Sequence, residues 1–159
     1  MKHSFTVGVM FGLTSGVITT LGLIVGLHAG THSLSVIIGG IVTIAIADAL
    51  SDALGIHISE ESENVHTPKE IWASTLATFL SKALMTLSFL VPMLLLELSP
   101  AIVVSVVWGF LVLTILSVKL ATSQRIPLWK VIAEHLGIAT AVIVATDVIG
   151  GLVAKWLGA

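Results

Sequence analysis

From Phe5 to Leu27 the chain runs 23 residues without a charged side chain. A helix of that length rises ~1.5 Å per residue and crosses a hydrocarbon core ~30 Å thick. Similar runs recur down the chain. Backbone groups in lipid have no water to bond, so each run must close its own hydrogen bonds as a helix. Composition points the same way. The chain is 56% hydrophobic and 10% charged, with a mean hydropathy of +1.11, whereas soluble domains carry about 25% charged residues. These features predict an all-α integral membrane protein forming a single transmembrane domain over residues 1–159.

Five spans are expected: Phe5–Leu27, Leu34–Ile58, Ile71–Leu96, Ala101–Val118 and Val131–Leu157. The first follows Met1-Lys2-His3-Ser4 and exceeds the ~7–15 residues of a signal-peptide core, so it reads as a retained helix. His28-Ala-Gly-Thr-His-Ser33 is a polar linker. Residues 59–70, Ser-Glu-Glu-Ser-Glu-Asn-Val-His-Thr-Pro-Lys-Glu, read as a water-facing turn, with Pro68 suited to the first turn of the next helix. Glu97-Leu-Ser-Pro100 and the stretch from Lys119 to Lys130 are the other breaks. Placing the N-terminus inside puts Lys2, Lys69, Lys119, Arg125 and Lys130 in the cytoplasm and leaves Lys155 outside. The bias of basic residues toward cytoplasmic loops therefore predicts N-in, C-out. The chain has no cysteine, which excludes disulfides and thiolate metal sites.

Charges inside the spans need a reason. On insertion scales one costs ~2.5–3.5 kcal/mol at the bilayer centre. Asp48 and Asp52 lie four residues apart, on one helix face that Ser51, Gly55 and Ser59 extend. Two carboxylates one turn apart form a hard-oxygen site for a divalent cation, or share a proton. Lys82, in the next span, offers a plainer alternative, an ion pair that only holds helices together. Asp147 lies near the middle of the last span, either functional or hydrogen-bonded to a backbone carbonyl. Glu134 and His135, near the start of that span, are a cation mouth or interfacial side chains reaching water. Candidate metal ligands are thus Asp48, Asp52, Glu134 and Asp147. Glu60, Glu61 and Glu63 would gather cations on the cytoplasmic side, unless the stretch is only a solvated turn.

Helix 1 carries Gly8, Gly12 and Gly16, then Gly22 and Gly26, all at a spacing that allows close helix contact. With Thr14, Ser15, Thr19 and Thr20 it is a candidate dimer seam or pore wall, and Thr14, Ser15 and Ser51 are candidate pathway-lining residues. Met10, Met85 and Met93 read as packing. No Walker loop, dinucleotide fingerprint or His-Glu-x-x-His motif is present, so no enzymatic activity is expected.

Several of these segments resemble the vacuolar iron transporter family. Phe11-Gly-Leu-Thr-Ser-Gly-Val-Ile-Thr-Thr-Leu-Gly-Leu-Ile-Val-Gly-Leu27 is similar to the family's first helix. Ile38-Gly-Gly, Ala49-Leu-Ser-Asp-Ala-Leu-Gly55 and Ser59-Glu-Glu-Ser-Glu63 resemble the second. Leu116-Ser-Val-Lys-Leu-Ala121 resembles the end of the fourth, and Gly137–Gly151 the fifth. The resemblance implies a homodimer with a cation path between the first helices, exporting ferrous iron or a similar divalent metal from the cytoplasm against protons. The chain departs from the pattern at three places. The family's first-helix acid falls on Ser15 and its second-helix methionine on Asp52, and the cytoplasmic metal-gathering region shrinks to the twelve residues 59–70. A carboxylate in place of a methionine favours manganese or magnesium-like ions.

The function expected on these grounds is proton-coupled export of divalent metal, of the iron and manganese class, by a homodimer. It would sit in the cell membrane of a prokaryote, with the lipid bilayer, divalent ions and protons as partners. No tightly bound cofactor and no nucleic acid are expected. The rival reading is a non-transporting scaffold or regulatory subunit of the same fold. A carrier of another small solute or of protons is a third.

Overall fold

The computed structural model describes residues 2–158, except the side chain of Lys2. The expectation for the Lys2 charge therefore lies outside the described residues. The described chain is all helix: α1 (Lys2–Thr31), α2 (Leu34–Glu63), α3 (Pro68–Ser88), α4 (Leu90–Leu95), α5 (Leu98–Gln124) and α6 (Leu128–Leu157). Five stretches are long and apolar enough to cross a membrane, with α3 and α4 together forming the third.

The helices outrun the apolar runs. α2 continues through Ser59-Glu-Glu-Ser to Glu63, so the twelve-residue linker narrows to four residues, 64–67. α5 begins at Leu98 and runs on to Gln124, so the expected breaks at 97–100 and 119–130 narrow to residues 96–97 and 125–127. Lipid sets where a helix must be apolar, not where it must stop, and glutamate and lysine are good helix formers.

Local chemistry explains the ends. His32, Asn64 and Arg125 adopt left-handed φ values of 51°, 53° and 56° just beyond α1, α2 and α5, the conformation that closes helix C-termini. Thr67 precedes Pro68, and its backbone N–H and hydroxyl donate to Glu70 Oε2 at 3.1 and 2.8 Å. That bond to the N-cap amide from a residue three positions on is half of a capping box. The third span breaks at Phe89 instead of running unbroken from Ile71 to Leu96. Pro92 accounts for this, because its ring clashes with the carbonyl four residues back, that of Ser88.

Contacts gather in two compact units, Met1–Gly16 with Val42–Ser88 and Val17–Ile41 with Phe89–Ala159. In the first unit, α1 lies against α3 through its glycines. A Cβ on Gly8 would collide with the Ser74 carbonyl oxygen, and one on Gly12 would lie 2.6 Å from that of Thr78. The Thr78 hydroxyl donates back to Gly8 O at 3.3 Å. In the second unit, α1 lies against α6. A Cβ on Gly150 would collide with the Gly26 carbonyl oxygen, and one on Gly22 would meet Val142 at 3.0 Å. The glycines read as a candidate dimer seam or pore wall thus face helices of the same chain.

A side chain at Gly12 should force α1 away from α3. Gly12→Leu should lower stability by about 1–3 kcal/mol, as overpacked cores do. Gly137→Ala, where an added Cβ meets nothing within 4 Å, should be neutral or gain up to ~1 kcal/mol. Thermal unfolding in detergent checks both, and equal behaviour of the two variants would contradict the close contact.

Candidate functional site

The Lys82 side chain is fully buried. It sits on α3 among Ser74, Thr78 and Thr86, which are equally buried. A lone ammonium there would be untenable without anionic partners. Its partners are the two acids of α2. Nζ lies 2.6 Å from Asp48 Oδ2 and 2.6 Å from Asp52 Oδ2. The spacing of four puts both carboxylates on the helix face that α3 covers, so one ammonium reaches both.

The two contacts differ. Toward Asp52 the ammonium donates a well-directed hydrogen bond, and the Ser15 hydroxyl donates to the same oxygen at 2.6 Å. Asp52 therefore ties α1, α2 and α3 together. Toward Asp48 the distance is that of an ion pair, but the angle falls short of a hydrogen bond, and Oδ2 is buried without a hydrogen-bond donor. The Asp48 and Asp52 side chains keep 32% and 21% exposure, against none for Lys82. The group is sealed on the lysine side and open on the carboxylate side. With all three ionised it carries one excess negative charge.

Toward the C-terminal end of α2, α2 and α3 are joined by further polar contacts. His57 Nδ1 lies 2.9 Å from the Thr75 hydroxyl, and the Trp72 ring meets the His57 ring edge-on. The Ser74 hydroxyl donates to Glu60 Oε2 at 2.8 Å, with Glu60 buried. Glu60 is thus turned into the protein, while Glu61 and Glu63 are exposed. Glu60 lies eight residues beyond Asp52, where the 3.6-residue turn has rotated the face toward the start of α3.

Among the described residues, none of the other expected site residues is an ion-pair partner of Lys82. Ser51, Gly55 and Ser59 are exposed and do not extend the carboxylate face into the interior. Gly55 has nothing over it. Thr14 is half-buried. Glu134 and Asp147 are exposed on α6, and between them His135 Nδ1 lies 2.8 Å from the Ser117 hydroxyl, joining α6 to α5. Among the described residues no three histidines or acids gather so as to hold a metal ion.

The chain matches no family model, no curated protein and no solved structure. The chemistry of the site must therefore be argued from Lys82, Asp48, Asp52 and Ser15 themselves.

Removing one member of a buried ion pair leaves an uncompensated charge and costs about 3–5 kcal/mol. Lys82→Met should therefore destabilise strongly. Adding Asp48→Asn and Asp52→Asn to it should restore most of the loss, since apolar or neutral replacements of a whole buried charge group are often tolerated. Unfolding midpoints of the single and triple variants check this. A triple variant less stable than Lys82→Met would contradict it.

Proposed function

We propose that the protein is a membrane carrier of divalent cations that exchanges them for protons at Asp48 and Asp52. The observation that carries this reading is the ammonium of Lys82 held 2.6 Å from both carboxylates. The space it fills is the space a dehydrated cation would fill. Carboxylate oxygens suit magnesium, manganese and ferrous ions, and the excess negative charge favours a second cation.

In this mechanism Lys82 is the resident competitor. An arriving M²⁺ binds between the two carboxylates, and as it enters the ammonium gives up a proton to water and withdraws as the neutral amine. When the ion leaves, the proton returns to Lys82 or to a carboxylate, and the resting contacts re-form. Ser15 keeps Asp52 aimed throughout. The direction is export from the cytoplasm, with N-in and C-out topology, and Glu61 and Glu63 sit at the cytoplasmic mouth. The resemblance to the vacuolar iron transporter family supports the ion class and a homodimer as the working unit.

The scaffold reading has one observation of its own. Lys82 is wholly buried, and its contacts bind α3 to α2 with Ser15 of α1 attached. A purely structural lock needs no more.

Flux separates the two. Native protein in proteoliposomes should take up Mn²⁺ and Fe²⁺, faster with an opposing proton gradient. Asp48→Asn and Asp52→Asn should each lower uptake at least tenfold while remaining folded. Unchanged uptake in both variants would contradict a site on α2, and absent uptake by the folded native protein would favour the scaffold.

A further inference from the structure

α1 ends in a pair of histidines that the carrier mechanism does not use. His28 lies in the last turn of α1, and His32 is the left-handed residue that closes it. The His32 amide donates to the His28 carbonyl at 3.0 Å, so the second ring follows one helical turn after the first. The two ring centroids are 5.0 Å apart with planes 53° to one another, so the rings converge without stacking. His28 Nδ1 is buried and has no hydrogen-bond partner.

Burying an imidazole nitrogen with nothing to bond is costly. A metal ion is the ligand that would use it. A separation of four residues is the spacing that the histidines of zinc helices use, and here the turn at His32 brings its ring within 5.0 Å of that of His28. Metal–nitrogen bonds of ~2.0–2.1 Å from each ring converge on one ion when the rings lie about 5 Å apart. Imidazole donors select zinc, copper, nickel and ferrous ions over magnesium and calcium.

We infer that His28 and His32 form a bidentate chelating site for a divalent transition-metal ion at the C-terminal end of α1. Water completes the coordination, since His32 is exposed and His28 half-buried. A two-ligand site with open positions exchanges its ion readily. Both residues belong to the second compact unit. The site differs in chemistry from the carboxylates of α2, and it does not depend on transport at Asp48 and Asp52.

Zn²⁺ and Cu²⁺ binding test it. Calorimetric titration of detergent-solubilised native protein with Zn²⁺ should show one ion per chain at this site. His28→Gln and His32→Gln should each weaken that event at least tenfold, with unfolding midpoints in chelator close to native. The Cu²⁺ electron paramagnetic resonance spectrum of the native protein should show two equatorial nitrogens, falling to one in His32→Gln. That exposed position should tolerate the change even where His28→Gln does not fold. Native protein that binds no ion, or variants that bind with native stoichiometry and affinity, would overturn the site. So would a copper spectrum unchanged in His32→Gln.

Discussion

One buried ammonium organises the first unit. Lys82 reaches its position only because two carboxylates meet it there, each 2.6 Å from Nζ. Without them the charge would cost several kcal/mol in a low-dielectric interior. With them, three helices acquire a fixed register. α3 brings the lysine, α2 brings both acids, and α1 brings Ser15 to the oxygen that the lysine already holds. A lipid-embedded bundle gains little from hydrophobic attraction between helices, so such polar contacts and close packing carry more of the specificity.

Glycine makes the close packing possible. α3 lies over Gly8 and Gly12 with its backbone carbonyls where a Cβ would otherwise be. That approach brings α3 near enough for the Thr78 hydroxyl to bond the Gly8 carbonyl. In the second unit Gly26 and Gly150 give α1 and α6 the same kind of contact. α1 thus uses its small residues within each unit, Gly8 and Gly12 against α3 and Gly26 against α6.

Length and polarity were enough to read five long apolar helices from the sequence, because lipid admits one backbone solution for an uncharged run like Phe5–Leu27. Helix ends were harder, since α2 and α5 pass beyond the apolar region in residues that form helix equally well in water. The break at Phe89 had a visible cause in Pro92, but a proline inside a membrane helix is often tolerated, so its presence alone was ambiguous. The spacing of Asp48 and Asp52 announced a shared face. What spacing could not give was the depth at which α3 returns, and hence whether one lysine meets one acid or both. Ser51 illustrates the same limit, for it lies close to the pair in sequence yet is exposed. The pairing of Glu60 with Ser74 and the convergence of His28 with His32 also needed coordinates. The i, i+4 histidine spacing was a signal for the second.

The proposed exchange requires Lys82 and a metal ion to compete for the same two carboxylates. Crystals grown with Mn²⁺ and mapped by anomalous scattering at the manganese edge address this directly. The exchange predicts a manganese peak between Asp48 and Asp52, with the Lys82 amine withdrawn from both. A map with no manganese there, and the ammonium still in contact with both acids at saturating ion, would contradict it.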